Sequence, residues 1–195
     1  MTKTVIGLLR HGQTDWNIDF RLQGITDIPL NATGISQAEL AGKAIDANDW
    51  DVLIASPLSR ARDTAEIIAR EAGFDRVLIE PLLLERSFGE AEGGSFAEWK
   101  EKYADGQPIP GGESLEQLAL RCWKLLETIV NEHQGKRVLA VSHGALIRKV
   151  IKLVSRGELP REGDRFGNAS LSTIAHDRFG WGMVKYDPKT LTLKP

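Results

Sequence analysis

The sequence predicts an α/β fold built on a mostly parallel sheet, and three observations carry that expectation. Short apolar runs, Val5 to Leu9, Val52 to Ala55 and Val138 to Val141, each break into polar or charged residues at their C-terminal ends. This is the pattern of parallel strands buried on both faces. A helix-compatible stretch follows each run, giving the βα order of a parallel sheet. The groups delivered at the three ends are Arg10-His11-Gly12, Ser56-Pro57-Leu58-Ser59-Arg60 and Ser142-His143-Gly144. If the strands lie side by side, His11, His143 and Arg60 converge on one crevice, because ligands of open α/β sheets bind at the carboxyl ends of the strands.

The elements follow in chain order. Ala32 to Ala47 reads as a helix, with Thr33 as N-cap and Gln37 as its capping-box-like partner. Leu58 to Ala72 has apolar residues at helical spacing and stops at Gly73. Val77 to Ile79 is a short strand closed by Pro81. The stretch Gly89 to Gly112 differs: it is rich in Gly, Glu and Pro and holds a short helix over Phe96 to Tyr103. It reads as an excursion over the mouth of the crevice, where specificity is often carried. Ser114 to His133 is the longest helix, with Leu115, Leu118, Ala119, Cys122, Leu125, Leu126 and Ile129 on one face. Ala145 to Val154 is a further helix. Leu171 to Ala175 and Met183 to Tyr186 are late strands, antiparallel or at the edge.

A length of 195 residues fits a single domain with an excursion at about 86–112. The net charge of −2, with acids and bases mixed, favours neither nucleic acid nor a membrane surface as partner. Cys122 is the only cysteine, so an intrachain disulfide is excluded. The first apolar run is too short for a signal peptide or a membrane span, and a cytoplasmic protein is expected.

The strand ends suggest attack on a phosphoryl group. Arg10 offers a planar fork matched to phosphate, His11 can act as a nucleophile, and Gly12 would let a ligand approach the backbone. Thr14 and Asn17 either give neutral donors to a phosphate or cap the following turn. His143 repeats the strand-end His-Gly pair and would hold the nucleophile or stabilise charge on the phosphoryl oxygens. Arg60 and Arg62 lie two apart and point to different faces of a helix; Arg60, nearer the strand end, is assigned to the crevice. Glu85 is the candidate general acid, with Glu90 and Glu92 as nearby competitors. Other chemistries fall away. The chain has no G-x-x-x-x-G-K-[ST] and no G-x-S-x-G. Cys122 sits in mid-helix, without the loop and following Arg of a cysteine phosphatase. Asp49-Trp50-Asp51 precedes its apolar run and so lies at the wrong end of a strand. His11 and His143 have no carboxylate–His or H-x-x-x-H pattern beside them, and two arginines would oppose a cation there.

Taken together, Leu9-Arg10-His11-Gly12-Gln13-Thr14 with Asn17, Ser56-Pro57-Leu58-Ser59-Arg60-Ala61 with Thr64-Ala65, Glu85, and Ser142-His143-Gly144 resemble the histidine phosphatase superfamily, also called phosphoglycerate-mutase-like. The loop Gly24 to Gly34 is similar to the family's loop into its second helix, and Pro110-Gly111-Gly112-Glu113-Ser114 is similar to a stretch in its small phosphatase members. The resemblance implies a three-layer α/β/α sandwich. It implies His11 as nucleophile carrying a phosphohistidine, and Arg10, Arg60 and His143 as the phosphate pocket. Glu85 would be the proton donor. Asn17, Thr14, Gln23, Gly24 and Gly144 would touch substrate. No metal or cofactor is expected. The partner would be a small phosphorylated metabolite, and a homodimer is compatible with the sequence. Such a mechanism needs His11 neutral and a proton on Glu85.

Within the family, phosphomonoesterase and cofactor-dependent phosphoglycerate mutase share the pocket. The glycolytic mutases carry a longer, basic insertion after the acid-bearing segment. Here Arg86 to Gly112 is short, and Glu90, Glu92, Glu98, Glu101 and Asp105 outnumber Arg86, Lys100 and Lys102. A bisphosphorylated cofactor needs cations for its second phosphate, so a phosphatase is the favoured expectation and the mutase the alternative.

Overall fold

The computed structural model describes residues 2–103 and 107–192. The strands are β1 (Thr4–Arg10), β2 (Val52–Ala55), β3 (Leu78–Ile79), β4 (Arg137–Ser142), β5 (Leu171–Asp177) and β6 (Gly180–Lys185). The helices are α1 (Asp15–Ile18), α2 (Ala32–Ala44), α3 (Ser59–Ala72), α4 (Phe96–Tyr103), α5 (Leu115–Glu132) and α6 (Gly144–Val154). The strands form one sheet in the order β3-β2-β4-β1-β5-β6. β3, β2, β4 and β1 run parallel, while β5 pairs antiparallel with β1 and β6 with β5. The sheet is therefore mostly parallel.

The three apolar runs of the sequence are adjacent strands, with β4 between β2 and β1. Their carboxyl ends share one edge of the sheet, in register from Val5↔Arg137 to Arg10↔Ser142. Alternation along each strand sends side chains to opposite faces. On one face Ile6, Leu8, Ile54, Val138 and Ala140 pack against α5 and α6 through Leu118, Cys122, Leu125, Leu146, Ile147 and Val150. On the other, Leu9, Leu53, Ala55, Leu139 and Val141 meet Ala41, Ala61, Ala65 and Ile68 of α2 and α3. Two helical layers thus sandwich the sheet, as the family resemblance implies.

Several boundaries differ from the sequence reading. The N-cap of α2 is Asn31, whose side chain accepts Gly34 N–H at 2.9 Å, not Thr33. That helix ends at Ala44 rather than Ala47, because Ile45 turns to extended backbone and is buried. Leu58 lies outside α3, which closes on Gly73 in the left-handed region. Ser114 and Gln117 form the capping box of α5. α4 spans Phe96–Tyr103, where the sequence places a short helix. β5 and β6 are antiparallel neighbours at the sheet edge, β5 running two residues longer than the apolar run and β6 centred further upstream.

The excursion has its own small core, in which Leu22, Phe88 and Ile109 are buried and Ala91, Trp99, Tyr103 and Ala145 pack around them. Phe88 and Trp99 meet edge to face at 6.2 Å, so these aromatics hold the excursion together. Residues 20–22 zip onto 93–96 by backbone hydrogen bonds, Leu22 N–H to Gly94 O at 3.0 Å and Phe96 N–H to Phe20 O at 2.8 Å among them. Among the described residues, no helix is long and apolar enough to cross a membrane.

Candidate active site

Each strand end places its group for a local reason. After Arg10 the ladder continues for one residue, His11 N–H to Ser142 O at 2.9 Å, and the chain then turns at Gly12. A Cβ at position 12 would stand 2.4 Å from Gly34 O. The glycine is required by the close approach of α2, rather than by a ligand at the backbone as the sequence suggests. Gly12 N–H donates to Thr64 Oγ1 at 3.0 Å, and that hydroxyl donates to Arg60 O at 2.6 Å. The nucleophile candidate and the start of α3 are thereby joined. Leu58 gives α3 no side-chain cap. The cap comes from Asp27 instead, whose Oδ1 accepts Ser59 N–H and Ser59 Oγ–H, both at 2.8 Å.

His11 is 3% exposed and His143 fully buried, with ring centroids 5.2 Å apart. His11 Nδ1 lies 2.6 Å from Gly12 O. A carbonyl only accepts, so Nδ1 carries the proton and Nε2 keeps its lone pair. Burial, then the charges of Arg60 and Arg10, hold His11 well below the usual imidazole range. Its ring is neutral in ordinary buffer, as nucleophilic attack requires. His143 is lowered in the same way, by burial first and then by Arg60. Its Nε2 is tied to Ser56 Oγ at 2.7 Å, and its Nδ1 is buried without a partner.

The two arginines lie on either side. Arg10 donates from one terminal nitrogen to Phe166 O, and its Nε is buried without a partner. Arg60 is 1% exposed and donates to Thr26 O at 2.9 Å and Gly24 O at 2.7 Å; its Nε is also left free. Burial lowers both guanidinium pKa values, and Glu85 opposes that shift in each. Gly144 abuts Arg10, since a Cβ there would lie 3.6 Å from Arg10 Nε. Gln23, 8% exposed, adds a buried unpartnered Oε1. Native interiors leave few buried polar atoms unsatisfied. Beside Trp99 Nε1 and His133 Nδ1 elsewhere in the fold, the atoms left so among the described residues are Arg10 Nε, Arg60 Nε, His143 Nδ1 and Gln23 Oε1, all on residues expected to hold substrate. Arg62, by contrast, is solvated and paired with Asp63 and Glu66, as its place on the opposite helix face implies.

Glu85 follows β3 and a short 3₁₀ turn over Pro81–Leu83. Its carboxylate accepts the N–H groups of Arg86, Ala145 and Leu146 at 2.9, 3.0 and 3.0 Å. The last two open α6, a favourable place for a carboxylate. The segment is braced from behind by Arg121, which donates to Leu82 O, Leu84 O and Glu85 O and pairs with Glu113 at 2.6 Å. Thr14 and Asn17 form a reciprocal capping box at α1, the second of the two readings the sequence allows. Asn17 Oδ1 also accepts from Asn168, whose amide holds His11 O at 3.1 Å. Ser56 and Asn168 escaped assignment as site residues. Ser56 stands in a motif the sequence shows plainly, whereas Asn168 carries no local signal. Cys122 is buried, with its thiol pushed up to about 12 by desolvation, which makes it inert. Among the described residues, no group of three or more His, Cys, Asp or Glu side chains comes together as a metal site.

The chain is similar to known proteins over nearly its whole length. The chain is 38% identical over 184 residues, 94% of each chain, to the uncharacterized phosphatase PhoE of Bacillus subtilis (strain 168). It is 35% identical over 187 residues to a probable phosphoglycerate mutase, GpmB, of Photorhabdus laumondii, covering 89% of this chain and 86% of that one. Among solved structures it superposes with a TM-score of 0.81 and 29% identity on a phosphoserine phosphatase variant of Entamoeba histolytica in complex with phosphoserine, covering 96% and 98% of the two chains. The profile of the histidine phosphatase superfamily (branch 1) matches residues 6–188, and the chain belongs to that superfamily.

Proposed function

We propose that the protein is a metal-independent phosphomonoesterase, acting on small phosphorylated metabolites through a phosphohistidine on His11. One observation carries this reading. A neutral imidazole with its Nε2 lone pair free sits among buried cationic donors, Arg10 Nε and Arg60 Nε, that have no partner of their own. These are the groups a phosphate dianion satisfies.

The Nε2 lone pair of His11 attacks phosphorus and the ester P–O bond breaks. Glu85, whose carboxylate takes up a proton as the phosphate dianion enters beside it, gives that proton to the departing oxygen. Positive charge on the phosphorylated ring is met by the Nδ1–H···O=C bond to Gly12. Water then attacks phosphorus, loses its proton to the Glu85 carboxylate, and the P–N bond breaks. His11 returns to its starting tautomer. Through both steps Arg10 and Arg60 supply positive charge to the phosphoryl oxygens and the neutral His143 ring supplies a hydrogen bond from Nδ1, which leaves no role that demands a cation. Asn17, Thr14, Gln23, Gly24 and Gly144 are proposed to line the approach.

The likeness to a probable phosphoglycerate mutase favours a second reading, transfer between positions of a phosphoglycerate. Against it stands the excursion between Arg86 and Gly112, where acids outnumber bases. Phosphorus NMR in EDTA with 3-phosphoglycerate and a trace of bisphosphoglycerate decides between them. The phosphatase releases inorganic phosphate. Appearance of 2-phosphoglycerate without phosphate release would overturn that reading in favour of the mutase.

A further inference from the structure

Glu92 has no part in the chemistry above, yet its carboxylate is among the most heavily engaged in the molecule. Oε1 accepts Phe88 N–H at 2.9 Å and Ile25 N–H at 3.1 Å, and Oε2 accepts Thr26 N–H at 2.9 Å and Thr26 Oγ–H at 2.5 Å. The sequence offers Glu92 as a competitor for the acid role; with these four bonds made, its oxygens are committed elsewhere. What matters is where the peptide groups on the far side point. A trans peptide directs its N–H and its C=O in opposite directions. The Gly24–Ile25 peptide therefore gives its N–H to Glu92 and its C=O to Arg60, at 2.7 Å. Thr26 adds a second link through two successive peptides, its N–H going to Glu92 and its carbonyl accepting from Arg60.

The loop is built for this contact. Gly24 has φ +53°, and a Cβ there would stand 2.0 Å from Glu92 Oε1. A Cβ would thus meet both backbone strain and the carboxylate itself. Asp27 fixes the other end of the loop to the first turn of α3, from which Arg60 projects. A carboxylate paired directly with Arg60 would occupy the fork that a phosphate needs. Relayed through a peptide, the negative charge orients the guanidinium and commits only two of its five donors.

We propose that Glu92 is the positioning residue for Arg60: through the Gly24–Ile25 peptide it aims the guanidinium at the phosphate site and ties the 86–112 excursion to the phosphate cradle. The inference rests on the phosphoryl-transfer reading for its meaning, but phosphate binding tests it without turnover. In Glu92→Gln the amide nitrogen faces N–H donors and the loop loses half its anchor. Calorimetric titration with inorganic phosphate is expected to show an affinity lowered about tenfold, the scale of one lost charge-assisted hydrogen bond. In turnover of p-nitrophenyl phosphate, KM should rise by a similar factor and kcat should fall less. The acid limb of the pH profile should move little, since burial, the largest influence on His11, is unchanged. Thr26→Val, which removes one donor only and serves should Glu92→Gln fail to fold, should weaken phosphate binding about threefold. Gly24→Ala, which adds backbone strain to the clash with the carboxylate, should weaken phosphate binding at least as much as Glu92→Gln. Unaltered phosphate affinity in Glu92→Gln and Thr26→Val, or a fall in kcat at unchanged KM, would overturn the proposal. A wild type that binds phosphate but turns over no ester would overturn the functional reading and leave this inference standing.

Discussion

The carboxyl ends of β1 and β4 are near twins in sequence and opposites in chemistry. Both end an apolar run in His-Gly, they are adjacent and parallel, and Arg10 pairs in register with Ser142, so His11 and His143 leave the sheet side by side. Both rings are buried and both are held neutral by burial and the nearby arginines. What separates them is the nitrogen each has committed. His11 is held at Nδ1 by a carbonyl, which can only accept and so leaves Nε2 as a lone pair. His143 is held at Nε2 by a hydroxyl, leaving Nδ1 without a partner. The lesson is that a histidine's place in the fold does not make it a nucleophile; the atom opposite its other nitrogen does.

The sharpest way to break this contrast is to remove each ring in turn. His11→Ala is expected to lower kcat by about 10⁴-fold or more, the scale for a lost nucleophile. His143→Ala should cost about 10²- to 10³-fold, as for loss of one group stabilising the transition state. Steady-state rates on one ester test both, and equal losses would erase the distinction. A smaller effect isolates the tether. Ser56→Ala strands His143 Nε2 in a buried site, which should lower stability by about 1–3 kcal/mol and the rate by about tenfold, with His11 still phosphorylated. Denaturant titration alongside the rate measurement checks this.

The gentlest probe is acid. In the unfolded chain both histidines take up a proton as pH falls through about 6.5. In the folded chain both resist it, so below that pH the unfolded state binds more protons and stability falls. The sign is therefore a loss on acidification, with stability fully present above about pH 6.5. The slope is at most about 1.4 kcal/mol per pH unit for each ring. Replacing either with Gln should remove its share, seen in urea midpoints between pH 7 and 5.5. A slope unchanged by either substitution would mean that the rings are not the groups involved.

Much of this was legible in the chain, and the physical reason is locality. An apolar run ending in Arg-His-Gly identifies a buried strand and its functional end from contiguous residues. The separation of Arg60 from Arg62 needs only helix geometry, and the fold bears it out, with one fully buried and the other solvated. The extent of α4 is short-range for the same reason. The cap of α2 was misassigned because Asn31 and Thr33 are both competent residues, and the choice is made by where the chain enters the helix. What the sequence could not show is what joins the ends: Ser56 on His143 across 87 positions, Asn168 on His11 across 157, and Glu92 on the loop that carries Arg60. These contacts depend on which loops the finished sheet brings together. The twin His-Gly pairs are thus visible in the sequence, whereas the difference between them is not.

The most direct test is to trap the covalent intermediate and ask which nitrogen carries it. Protein quenched in alkali during turnover and examined by phosphorus NMR and peptide mass spectrometry should show acid-labile phosphate on Nε2 of His11 and none on His143. Phosphate on His143, phosphate on Nδ1 of His11, or turnover with no phosphohistidine at all would contradict the roles assigned to the two rings.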